Sequence, residues 1–360
     1  MVTPPQPPGF LPSVSRSHRS DSIRLGKEIH LRDSGIELLR IISMFLVLVV
    51  HSNFFSLGIP HYEVWKFDGV MQTFIQSIAI VCVNVFVMIS GWFGIRAQKK
   101  SFISFLFQII FFFFGIYTIL LISGMQPFSL RALANCLLLL PENWFIKAYL
   151  LLYIMSPVLN AYCESTDIKV QRYVLLLFFG FQTIFGWVVP GVDTFSGGYS
   201  TISFMGLYLL MQYVRKSHCK WFKLSPITNM VIFTISSLIT TLLYIVGSWY
   251  HIDQVSILYC YNSPLVIFAS LCFFLIFTQL KFRNSIINWI ASSTFAVYLL
   301  HTFPLVLQNY FKPTIRSIFI SWKGMEASLI TFLFLVTIFV VAVLVDQIRK
   351  TVWKMVSSYI

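Results

Sequence analysis

The sequence predicts an all-α polytopic membrane protein: a bundle of about ten transmembrane helices, both termini cytoplasmic. Three observations carry that expectation. Of 360 residues, 57% are hydrophobic and only 11% are charged, which leaves no room for a separate soluble catalytic domain. Apolar stretches of about twenty residues, enough for a helix to cross a bilayer, recur along nearly the whole chain. Lys and Arg collect at alternate span ends, as the positive-inside rule requires.

In chain order, residues 1–32 are rich in Pro, Ser and basic side chains and lack the apolar core of a signal peptide, so they read as a disordered cytoplasmic leader. Ten spans are expected near 35–57, 71–94, 102–123, 143–162, 171–190, 199–214, 226–248, 257–280, 286–307 and 327–348. The piece LRALANCLLLL, before Pro141, is too short to span after its Arg and is expected as an interfacial or re-entrant helix on the outer face. Residues 351–360 form a short cytoplasmic tail. With the N-terminus inside, twenty of the 26 Lys and Arg fall on the cytoplasmic side; Lys66, Arg131, Lys147, Lys312, Arg316 and Lys323 do not. The net charge of +13 is therefore a product of topology, and no nucleic-acid partner is implied. The six cysteines show no CxxC pair. No metal is indicated, because the histidines lack ligand spacing and no acidic cluster accompanies them.

The first span, GIELLRIISMFLVLVVHSNFF, holds Arg40 and His51, with nine apolar residues and Ser43 between them. Eleven steps of about 100° bring the two side chains to within roughly 20° of one helix face, about 16 Å apart along the axis. An ionisable residue within a span is costly and points to function. Two on one face suggest a polar track, with a cation at one level and an imidazole at another. Glu37, one turn before Arg40, is its expected ion-pair partner.

The chain resembles the membrane-bound acyltransferase-3 family, which O-acylates extracytoplasmic sugars. The resemblance rests on Arg40 and His51 at their spacing, on ISGWFGIR (89–96), on NWFIKAYLLLYIMSPVLN (143–160) and on STFAVYLLHTF (293–303), in that order. It covers 33–350, expected as one transmembrane acyltransferase domain. It implies acyl transfer across a bacterial cytoplasmic membrane, from acyl-CoA, usually acetyl-CoA, as co-substrate to a hydroxyl presented on the other side. A sugar hydroxyl attacks only as a base takes its proton, and a neutral histidine suits that task. His51 is assigned as general base, with an acyl-histidine intermediate as the alternative. Arg40, always charged and matched to phosphate geometry, faces the CoA side.

Arg96, Lys99 and Lys100 follow the second motif at the cytoplasmic surface and read either as a phosphate clamp or as a positive-inside stop signal. The family's further Arg in the opening turns of the third span is missing from KKSFISFLFQ. Ser90 and Gly91 are small enough to let two helices approach closely. Glu142, Asn143 and Trp144 open the fourth span at the outer face, where Trp stacks on sugar rings and a carboxylate binds hydroxyls; the other reading is an interfacial anchor with a capping Glu. His301 closes the YLLH motif and either acts on the substrates, orients His51 or makes a structural hydrogen bond.

The expected function is an O-acetyltransferase of a surface polysaccharide (capsule, O-antigen or exopolysaccharide) or of its lipid-linked glycan precursor. Its surroundings are membrane lipid, and oligomeric state is left open. The rival reading is a transporter of the same glycan pathway with Arg40, His51 and His301 as its polar track.

Overall fold

A computed structural model describes residues 33–60, 64–138, 143–189 and 194–358; the leader and Glu142 lie outside these. Among the described residues the regular structure is all helical. Eight helices are long and apolar enough to cross a membrane: α1 (Ser34–Leu57), α2 (Phe67–Phe93), α3 (Lys99–Ile122), α5 (Trp144–Ser165), α6 (Ile168–Val188), α8 (Pro226–Trp249), α9 (Val255–Thr278) and α12 (Gly324–Val356). Between α3 and α5 lies α4 (Leu130–Leu138), the short helix expected there, held to α3 where the Tyr117 hydroxyl accepts from the Ser129 N–H (2.8 Å). The sixth expected span is α7 (Thr201–Lys216), whose 16 residues reach only about 24 Å. It is too short to satisfy a full bilayer alone, and Phe204, Leu207, Tyr208 and Met211 bury it inside the bundle instead.

The ninth expected span differs. It does not run straight through 286–307 into an outer loop. It is α10 (Ser285–Thr302) and α11 (Pro304–Ser321), bent by 62°. Pro304 has no N–H to donate and drives the preceding residue out of the helical region; Phe303 accordingly has φ −56° and ψ 126°. Helix resumes at once because Pro is well suited to a first turn.

The centre of the bundle is α2, with Val81, Cys82, Val85, Val87 and Met88 fully buried. Its close approach to α7 depends on Gly91. A Cβ there would stand 2.6 Å from the Tyr208 carbonyl oxygen and 2.9 Å from its Cα, so one helix backbone would have to move. Gly91→Ala is expected to destabilise the protein by about 1–3 kcal/mol, read as a lower unfolding temperature in detergent. An unchanged temperature would show that the two helices can separate freely.

The N-terminal ends of α1 and α10 are tied together. Asp33 caps α1 by accepting from the Gly35 N–H (3.1 Å) and also pairs with Lys281 (2.8 Å). Asn284 caps α10 through the N–H groups of Ile286 and Ile287. Ser34 Oγ accepts from the Asn284 N–H (2.8 Å) and donates to Asn288 Oδ1 (2.9 Å). First and ninth spans run in the same direction, so this anchor sets their register for the whole crossing.

Candidate functional site

That register brings two histidines together. Ser34 and Asn284 are 250 residues apart, and so are His51 and His301. Two parallel helices pinned at one end at this offset meet again at the same offset further along. His51 Nδ1 lies 2.9 Å from His301 Nε2. His301 is buried, and its Nδ1 lies 2.6 Å from the Val297 carbonyl oxygen.

The carbonyl decides the protons. Val297 O can only accept, so His301 carries its hydrogen on Nδ1. With both rings neutral, His301 Nε2 has a lone pair, His51 Nδ1–H donates to it, and His51 Nε2 is left as the free base. The Ser56 hydroxyl holds the backbone behind it, donating to the His51 carbonyl (2.5 Å).

His51 lines a cavity of about 300 Å³ together with Asn143, Trp144, Tyr199, Tyr261 and Gln308. Trp144, Tyr199 and Tyr261 form an aromatic box, with ring centres 4.5, 5.0 and 5.8 Å apart. Arg40 lines a second cavity of about 240 Å³ nearer the N-terminal end of α1, with Ser90, Gln108 and Tyr149. Val47, Val83, Phe145 and Tyr298 belong to both walls. Arg40, Met44, Val47 and His51 therefore mark one face of α1, as their spacing predicted. The wall between the two polar ends is mostly apolar, with Tyr298 its one hydroxyl-bearing side chain, where a polar track was expected.

Arg40 Nη1 donates to Glu37 Oε2 at 2.8 Å, the expected ion pair. That bond uses one of five guanidinium donors; the Arg40 side chain is 27% exposed. Ser90, which the sequence suggested for helix packing, also meets the Tyr149 hydroxyl at 3.0 Å on this cavity.

The structure does not bring the other basic residues to Arg40. Arg96 borders a separate polar cavity with Asn160, Arg215 and Lys216, and Lys99 and Lys100 stand exposed at the start of α3. Asn143 and Trp144 do reach the His51 cavity. Tyr199, Tyr261, Tyr298 and Gln308 were not singled out in the sequence; each is an ordinary residue there, and only the fold places it beside His51. The buried ion pair of Asp346 with Arg349 (2.8 Å) was also passed over, although its three-residue spacing was visible.

Comparison with curated proteins and with solved structures finds no match. The profile of the acyltransferase-3 family, an acyltransferase domain, matches residues 33–346, which takes in every helix from α1 to the greater part of α12. The chain thus belongs to the acyltransferase-3 family and is a multi-pass membrane acyltransferase.

Proposed function

We propose that this protein is a bacterial cytoplasmic-membrane O-acetyltransferase. It moves acetyl from cytoplasmic acetyl-CoA to a hydroxyl of a surface polysaccharide or lipid-linked glycan. The observation that carries this reading is the His51–His301 pair on a cavity that shares its inner wall with the cavity of Arg40.

In this reading the acceptor hydroxyl enters the outer cavity and the thioester arrives from the Arg40 cavity past the wall the two share. The hydroxyl oxygen attacks the thioester carbonyl while His51 Nε2 takes its proton, and His301 Nε2 steadies the resulting imidazolium by accepting from His51 Nδ1–H. The tetrahedral intermediate collapses, the C–S bond breaks, and the proton on His51 passes to the departing thiolate. One ester forms and one thioester is lost. The pantetheine arm of CoA runs along the shared, mostly apolar wall in this reading, and its charged end stays at the cytoplasmic side with Arg40. Arg96, Lys99 and Lys100 stand at the same end, outside that cavity, and can meet only outlying phosphates. Trp144 and its tyrosine neighbours offer ring faces for a sugar, and the Asn143 and Gln308 amides offer hydrogen bonds.

The test uses sealed inverted membrane vesicles given labelled acetyl-CoA on their cytoplasmic face. Base-labile label in glycan is expected; label appearing in no glycan would overturn the reading. Arg40→Ala is expected to raise KM for acetyl-CoA by about tenfold or more, the worth of one charge-assisted hydrogen bond, and to leave KM for the acceptor nearly unchanged. The opposite split would remove Arg40 from the donor side.

A further inference from the structure

The bend at Phe303 gives the outer cavity a rim of its own. Beyond it, α11 runs on past the cavity: Gln308 lines it, and Lys312 and Arg316 follow at four-residue steps. Lys312 Nζ stands 3.8 Å from the centre of the Phe55 ring. Phe55 is itself a cavity-lining residue, its ring centre 5.3 Å from that of His51. Arg316 Nε donates to the Ser56 carbonyl (2.7 Å). Both cations are thus docked on the turn of α1 that directly follows His51.

Among the described residues, no carboxylate pairs with either cation. Like charges one turn apart on a helix repel, and the outer end of the bundle is where this chain keeps few basic residues. A cation needed only as an interfacial anchor extends into the headgroups and requires no contact with the catalytic turn. Here one aromatic ring separates the ammonium from the imidazole. Arg316 keeps its two terminal nitrogens free of any contact to the Ser56 carbonyl, and that fork suits a carboxylate or phosphoryl group. The cavity wall below, apart from His51, carries no ionic side chain.

We infer that Lys312 and Arg316 form a binding site for an oxyanion carried by the acceptor beside its reacting hydroxyl, either the phosphoryl group of a glycosyl phosphate or the carboxylate of a sugar acid. The inference rests on the sugar-acceptor reading above and narrows its substrate class: an uncharged ring in the aromatic box, with an anionic substituent at Lys312 and Arg316. Binding through the rim also sets the distance between the anion and the hydroxyl that His51 can reach, so the same two residues select which hydroxyl is acylated.

The experiment measures binding to the full-length protein in phosphatidylcholine nanodiscs, with no donor present. The probes are N-acetylglucosamine 1-phosphate and glucuronic acid, each against its uncharged parent sugar. Wild type is expected to bind at least one charged probe tenfold or more tighter than its parent, and the charged probe that wins identifies the oxyanion. The double variant Lys312→Gln/Arg316→Gln, checked for an unchanged unfolding temperature, is expected to lose that preference. Lys323→Gln, which removes a neighbouring outer charge, should keep it. Equal binding of charged and uncharged sugars by wild type, or a preference that survives in the double variant, would overturn the inference. So would a preference abolished for wild type in phosphatidylglycerol nanodiscs, since the rim would then be a lipid-headgroup site. A charge preference without label transfer to any glycan would instead sink the proposed function and leave the rim site standing.

Discussion

His51→Ala is expected to lower acyl transfer by about 10²–10⁴-fold, the usual worth of a positioned general base, with membrane insertion intact. The side chain lines the outer cavity and is not part of the tightly packed core, so its loss should leave the fold in place. The His301 variants then separate a base from a merely packed imidazole. His301→Ala removes the acceptor for His51 Nδ1–H, which frees the ring to rotate and to adopt the other tautomer. It should cost less than His51→Ala and act on kcat, with KM for donor and acceptor little changed. His301→Gln restores an acceptor oxygen near the position of Nε2 and should recover part of the lost rate. The measurement is initial rate against both substrates at equal protein levels. A His51→Ala protein within tenfold of wild type would reject the general-base role. Equal losses in His301→Ala and His301→Gln would mean that His301 serves packing alone.

The second large effect is on stability. Asp346 is fully buried, and its carboxylate accepts from Arg349 Nε (2.8 Å) and Nη2 (3.1 Å) and from Gln108 Nε2 (3.1 Å); Lys350 Nζ lies 3.5 Å away. Arg349 is only 6% exposed. Asp346→Ala would leave that guanidinium buried without its counter-charge, a loss of about 3–5 kcal/mol. The double variant Asp346→Ala/Arg349→Leu removes both charges and should regain much of it, because replacing a whole buried pair is far less costly than halving it. Thermal unfolding in detergent, with expression level as a second readout, checks the series. A single variant as stable as wild type would show that water reaches this network. Because Gln108 also lines the Arg40 cavity, the single variant should weaken donor use as well.

The two ends of the proposed site were legible to different degrees. Arg40 and His51 lie on one helix, and helical geometry alone puts them on one face, so the cavity walls follow their spacing. The Glu37–Arg40 pair follows from the same local rule. His301 was visible as the end of a motif, yet nothing in its sequence surroundings says that it meets His51. That contact depends on the Ser34–Asn284 anchor, which joins residues far apart in the chain. The break at Phe303 was encoded in Pro304, but an apolar run crossing it reads as one continuous span. Hydropathy outweighed backbone sterics in that reading and hid α11. Lys312 and Arg316 therefore read as outer-loop charges, whereas they dock on Phe55 and Ser56, in the turn that follows His51.

The sequence by itself determined what depends on short-range periodicity and on the solvent. The cost of an unsatisfied backbone in lipid makes the apolar runs helices, charge asymmetry orients them, and 3.6 residues per turn lines up Arg40, Met44, Val47 and His51. Only the tertiary structure decided what depends on register between distant helices. It joined the two histidines, set one mostly apolar wall between two cavities, gathered Trp144, Tyr199 and Tyr261 into a box, and bent α11 onto Phe55 and Ser56. Lipid rewards helices for being apolar but is indifferent to which of them touch. Neighbours and register are therefore selected by close backbone approach at Gly91, by the caps at Asp33 and Asn284, and by a few buried polar contacts.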